Sequence, residues 1–196
     1  VYLTGYNTTD EKNSSLYCYN LDTETLTPMI ENVLSFLAFT GWDNDTKSNS
    51  EMIVYSQDGK MYRYSGASGK TIVINESSLP LERGVCYQGA LYLHTKDNEK
   101  TVVEMYLNYG IGSNAGAHIF ETPLSTTSQI LDGMLVTSSY GYTDGKSDIR
   151  TCVFNNPAYF FRSSDHMFDL FIHDGIMLYT LFDGNTLVEV DLNKTF

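Results

Sequence analysis

The chain has 196 residues, 42% of them hydrophobic and 18% charged, a balance that supports a packed core and excludes intrinsic disorder. Its formal net charge of −12, with 12 basic residues scattered singly, repels phosphate backbones and anionic lipid heads, so no nucleic-acid partner is expected. No apolar run approaches the roughly 20 residues of a membrane-spanning helix, so no membrane insertion is expected either.

Tyr, Phe, Val, Ile and Thr are strand formers, and 15 Tyr with 10 Phe tilt the composition towards β structure. The chain begins Val1-Tyr2-Leu3, with neither Met nor a signal peptide, and reads as a processed or trimmed product. Residues 1–33 read as three strands; Leu16 to Leu21 alternates and ends in the turn residues Asp22 to Thr25. In residues 34–78, the apolar stretch Asn32 to Thr40 predicts an innermost strand. Asp43 to Glu51 predicts a polar loop, Asp58-Gly59 a hairpin turn, and Met61 to Ser65 a strand. Residues 79–124 bring the Gln88-Gly89 turn and the strand Val103 to Asn108. Residues 125–165 bring Asp132-Gly133 and Ile149 to Asn156. Residues 166–196 bring Asp174-Gly175 and Leu187 to Thr195. Gly89, Gly133 and Gly175 lie 44 and 42 residues apart, each where a tight hairpin needs φ > 0.

A period of about 42 to 46 residues holding four strand-length segments is the propeller signature. The expected fold class is therefore all-β, a β-propeller-like array of four-stranded antiparallel blades. Residues 1–33 and 166–196 read as incomplete blades, and 34–78, 79–124 and 125–165 as complete ones, so a partial propeller, part of a larger chain, is expected. Exposed edges on the incomplete blades predict dimerisation or aggregation of the isolated piece.

The copies LYCYNLDTETLT (Leu16 to Thr27), MYRYSGASGKT (Met61 to Thr71) and LVEVDLNKT (Leu187 to Thr195) resemble the outer hairpins of TolB-like and YWTD-like propellers. In style they are similar to bacterial surface propellers likened to the lipoprotein-receptor propeller. The sequence departs from that pattern in lacking a YWTD tetrad, and Ser56-Gln57-Asp58-Gly59 stands where a TolB-like repeat has Ser-Pro-Asp-Gly. The resemblance implies a binding or scaffolding module outside the cytoplasm.

Motifs of chemistry are few. Gly66 to Thr71 ends like a phosphate-binding loop, but Tyr64 stands where the first Gly is required and a strand-like Ile72-Val73-Ile74 follows, so a hairpin turn is expected. The loop beginning Asp43-Asn44-Asp45 carries the oxygen side chains calcium favours, with Asp43 and Asp45 as candidate ligands for a Ca2+ cofactor; no other cofactor is expected. His166 with Asp169, and His173 with Asp174, are a further place where a metal could be held. Cys18, Cys86 and Cys152 are widely spaced and odd in number, which excludes a zinc ribbon and predicts buried free thiols. Sequons at Asn7, Asn13, Asn44, Asn75 and Asn193 hint at export.

Loop aromatics stack on sugars or anchor protein interfaces, so Trp42, Tyr109, Tyr140 and Tyr142 are the candidate binding residues. The expected function is a non-catalytic extracytoplasmic (secreted or cell-surface) module that binds protein or glycan through its loops, with no catalytic residues assigned. The alternative is a propeller-type glycoside hydrolase or lyase, which would gather carboxylates in a cleft.

Overall fold

A computed structural model describes the backbone of residues 1–7, 10–110, 116–122, 125–140, 142–143, 146–147, 150–155, 158–163, 168–181 and 184–194. Those residues are all-β, with a single 3-10 turn at Asn108–Gly110. No helix among them is long and apolar enough to cross a membrane. The strands are β1 (Tyr2–Asn7), β2 (Asp10–Asn20), β3 (Thr25–Glu31), β4 (Phe36–Asp43), β5 (Ser48–Gln57), β6 (Lys60–Ser65) and β7 (Thr71–Asn75). They continue as β8 (Leu81–Tyr87), β9 (Ala90–Lys96), β10 (Thr101–Tyr106), β11 (Ala117–Thr122), β12 (Ser125–Leu131) and β13 (Met134–Tyr140). The last are β14 (Tyr142–Thr143), β15 (Lys146–Ser147), β16 (Arg150–Asn155), β17 (Ala158–Ser163), β18 (Phe168–His173), β19 (Ile176–Thr180) and β20 (Leu187–Asp191).

They form small antiparallel meanders, none closed on itself. β1-β2-β3 make a three-stranded sheet; β4 to β7 and β8 to β11 make four-stranded ones; β12-β13-β16-β17 make another; β18-β19-β20 make the last. A short β14-β15 ribbon stands apart. The chain divides into two compact units. The first comprises Val1–Asn98 and Val102–Phe120, the second Glu99–Thr101 and Glu121–Phe196.

Within the first unit the sheets pack face to face, and β5 shows why. Its run Met52-Ile53-Val54-Tyr55 is buried on both sides. Side chains alternate across a strand, so Ile53 and Tyr55 join Leu16 and Val33 in one core. Val54 joins Met61, Ile74, Leu81, Leu91, Leu93 and Tyr106 in the next. In the second unit, Val136 and Val153 pack with Ile172, Met177, Tyr179 and Leu192. The tight turns follow local chemistry: Gln88-Gly89, Asp132-Gly133 and Asp174-Gly175 all take positive φ at both residues, as two-residue primed turns require.

Gly84 in β8 is required by packing rather than by its backbone. A Cβ there would lie 2.8 Å from Leu93 Cδ2, 3.0 Å from the Tyr92 carbonyl oxygen and 3.3 Å from Leu37 Cδ2. Overfilling a packed site costs about 1–3 kcal/mol. We therefore expect Gly84→Val to lower the stability of the first unit by that much, read by urea unfolding; an unchanged midpoint would show that β8 can move aside.

Three local expectations change. The strand expected from Asn32 begins at Phe36 and runs on to Asp43. The loop expected from Asp43 to Glu51 is a four-residue turn, 44–47, because Asp43 and Ser48 already pair across β4 and β5. Cys18 and Cys86 are free but half-buried, with burial pushing the Cys86 thiol up; the Cys152 side chain lies outside the described residues.

Candidate functional site

The sequence-selected residues of the first unit gather at one end of its sheets. Trp42, 43% exposed, lies near the end of β4 opposite Asn49. Tyr109 is half-buried rather than displayed on an open loop. Its ring stacks on Phe39 at 5.8 Å, its amide donates to the Gly89 carbonyl at 2.8 Å, and its carbonyl accepts from Arg63 Nη1 at 3.1 Å. A Cβ on Gly41 would lie 3.2 Å from that ring, so glycine leaves it room.

Asp43 is buried and its carboxylate is fully engaged. Oδ1 accepts from the amides of Asp45 at 2.7 Å and Thr46 at 3.1 Å, which folds the turn as an Asx motif. Oδ2 accepts from the hydroxyls of Ser65 and of Ser68, the latter at 2.8 Å. The Ser65 hydroxyl, the turn amides and the Ser68 hydroxyl together hold the Asp43 carboxyl well below the usual carboxylate range. Asp45 points outward and pairs with Lys70 at 3.0 Å. This end of the unit is thus a knot of turns built around one carboxylate.

Gly66 to Thr71 belongs to the same knot and is a turn leading into β7. The Gly66 amide donates to the Glu51 carbonyl, Ala67 to Ser50 Oγ and Gly69 to the Ser65 carbonyl. Those are the amides a phosphate would need.

The opposite end of the first unit is concave, and none of its lining residues was singled out as a binding residue from sequence. The segments before β4, between β5 and β6, between β7 and β8, and after β9 all emerge there. A cavity of about 160 Å³ is lined by Asn32, Leu34, Ser56 to Gly59, Ser78 and Pro80. An open cleft of about 600 Å³ adjoins it, lined by Ser35, Pro80 to Glu82, and Lys96 to Asn98, and Pro80 is common to both. The walls are tied down. Gln57 Nε2 donates to the Glu31 carbonyl at 2.7 Å, the Leu81 amide to Ser56 Oγ at 2.7 Å, the Ser78 amide to the Gly59 carbonyl at 2.7 Å, and Ser35 Oγ to the Glu82 carbonyl at 2.7 Å.

Leu34 stays 61% exposed at the rim. Glu82 Oε1 lies 3.3 Å from Arg83 and 4.0 Å from Lys96. Its Oε2 is shielded from solvent without a hydrogen-bond partner among the described residues. A shielded acceptor left unpaired costs about 1–3 kcal/mol, which a donor from a bound molecule would offset.

The remaining expectations separate. Tyr140 is the last residue of β13 and Tyr142 opens β14; the side chains of both lie outside the described residues. So does His166. Asp169 accepts from Thr180 Oγ1 at 3.3 Å. The Asn75 sequon is buried, with its amide donating to Tyr106 Oη at 2.8 Å, so it is not an accessible glycan acceptor; Asn44 and Asn193 are exposed. No protein-family model matches the chain, and no curated protein matches it in sequence.

Proposed function

We propose that the chain is a non-catalytic interaction module outside the cytoplasm that binds an extended protein segment along the loop face of its first unit. The observation that carries this reading is the pair of adjoining clefts meeting at Pro80. Leu34 and Pro80 offer apolar contact, and the Asn, Gln and Ser side chains around the clefts match peptide amides. No described aromatic lines either cleft, which favours peptide over a stacked sugar ring. Exposed sequons at Asn44 and Asn193 support the location.

We propose further that the sheets are blades of a β-propeller of the TolB-like and YWTD-like kind. Consecutive meanders of near-constant length support this, as does a core made between neighbouring sheets of one unit rather than within any one sheet.

The test is selection from a random-peptide display library and a glycan array on the full chain, repeated with Leu34→Glu and with Trp42→Ala. The expected result is an enriched peptide whose affinity falls about tenfold or more, a hot-spot-sized loss, in Leu34→Glu and holds in Trp42→Ala. Enrichment of glycans alone, hydrolysis of a glycoside, or peptide binding insensitive to Leu34 would overturn it.

A further inference from the structure

The second unit repeats one hairpin twice, and the repetition brings three potential ligands together. Asp132 is the first turn residue between β12 and β13, and Asp174 holds the same place between β18 and β19; their φ values are 46° and 48°. The Asp174 amide donates to Asp132 Oδ2 at 2.8 Å, which sets the two turn tips side by side. His173, the last residue of β18, places Nε2 3.5 Å from Asp174 Oδ2. One ligand atom each from Asp132, His173 and Asp174 lies within 4.8 Å of the other two, and all three residues are exposed.

The turn itself does not require this chemistry. The equivalent hairpin between β8 and β9 takes the same backbone with Tyr87 and Gln88 where the last one has His173 and Asp174, and Gln88 reaches φ 46° with a neutral amide. Two carboxylates this close repel one another. Among the described residues neither forms an ion pair with Lys or Arg; the nearby basic group is the imidazole of His173, which pairs with Asp174 and has a ring nitrogen within 4.8 Å of an Asp132 oxygen.

We infer that Asp132, His173 and Asp174 form a binding site for a divalent transition-metal ion, Zn2+ foremost. Two carboxylate oxygens and an imidazole nitrogen are a borderline donor set suited to zinc and its first-row neighbours, whereas Ca2+ and Mg2+ prefer oxygen alone. Three protein ligands leave further positions to water, so the site is open, and the ion clips two neighbouring hairpins of the second unit.

Calorimetric titration of the full chain with ZnCl2 in a non-chelating buffer tests this, with His173→Ala, Asp132→Asn and, as a control, His118→Ala, whose side chain is exposed on β11. Asn tolerates positive φ, so Asp132→Asn keeps the turn. The expected result is one saturable site in the parent chain and in His118→Ala. Each ligand variant should weaken it by at least the ~10-fold that even outer-shell losses cost. Proton NMR of the parent chain gives a readout that needs no variant: Zn2+ should shift the ring resonances of His173 and leave those of His118 in place. Absence of a saturable site, equal binding by His173→Ala, or shifts spread over all four histidines would overturn the assignment.

Discussion

Leu93→Ala should lower the stability of the first unit by about 2–5 kcal/mol, the range for emptying a leucine-sized volume in a core that cannot collapse around it. Leu93 has no exposed surface. It packs in the core shared by β5 to β10, and its Cδ2 fills the space left by Gly84. Neighbouring strands are tied by their hydrogen-bond ladders, so relaxation into the void is limited. For a chain of this size each kcal/mol moves the melting midpoint by roughly 2–4 °C. Leu187→Ala is the control, because Leu187 is 67% exposed at the start of β20 and should change stability by no more than about 0.5 kcal/mol. Thermal unfolding followed by near-ultraviolet circular dichroism checks both. If the two variants melt together, the core is not where the sheets are held.

Asp43→Asn should change how stability depends on pH. The Asp43 carboxyl in the folded chain lies below its ordinary value of 3.8. On acidification the unfolded chain therefore takes up this proton first. The stabilisation is complete well above pH 3.8 and is lost as pH falls below that value towards the folded one. The substituted side chain would keep an acceptor for the Asp45 and Thr46 amides but would bring an amide group towards Ser65 and Ser68, and it carries no titration. Urea unfolding at about pH 7 and about pH 3, on either side of the carboxylate range, should show the parent chain losing more stability than the variant between the two, with the parent more stable at the higher pH. Parallel losses would mean that the hydroxyl and amide donors do not favour the charged form of Asp43.

What could be read of the candidate sites from sequence was limited to residue type. Asp43 and Asp45 look alike in a polar run, yet one is buried under four donors and the other pairs with Lys70. Ser50, Ser65 and Ser68 complete that knot from β5, β6 and the following turn, and no spacing rule connects them. The His173-Asp174 pair was visible as a possible ligand pair. Asp132, 42 residues before Asp174, became its neighbour only because two equivalent turns sit side by side. The clefts at Pro80 draw on residues from Asn32 to Asn98, half of them Ser, Asn, Pro and Gly that serve equally well as turn formers.

The sequence by itself determined the all-β class, the small antiparallel sheets and the tight turns. Strand alternation and the φ > 0 demanded at Gly89, Gly133 and Gly175 are local properties, written within a few neighbouring residues. It also determined that Gly66 to Thr71 is a turn, since the strand after it denies phosphate a helix terminus. Only the tertiary structure decided that β5 is buried on both faces, that Tyr109 lies against Phe39, that the Asn75 sequon is buried, and which carboxylates are spent on turns. The physical reason is the same in each case: burial and hydrogen-bond satisfaction depend on which sheet faces which, and that is set by contacts between residues far apart in the chain.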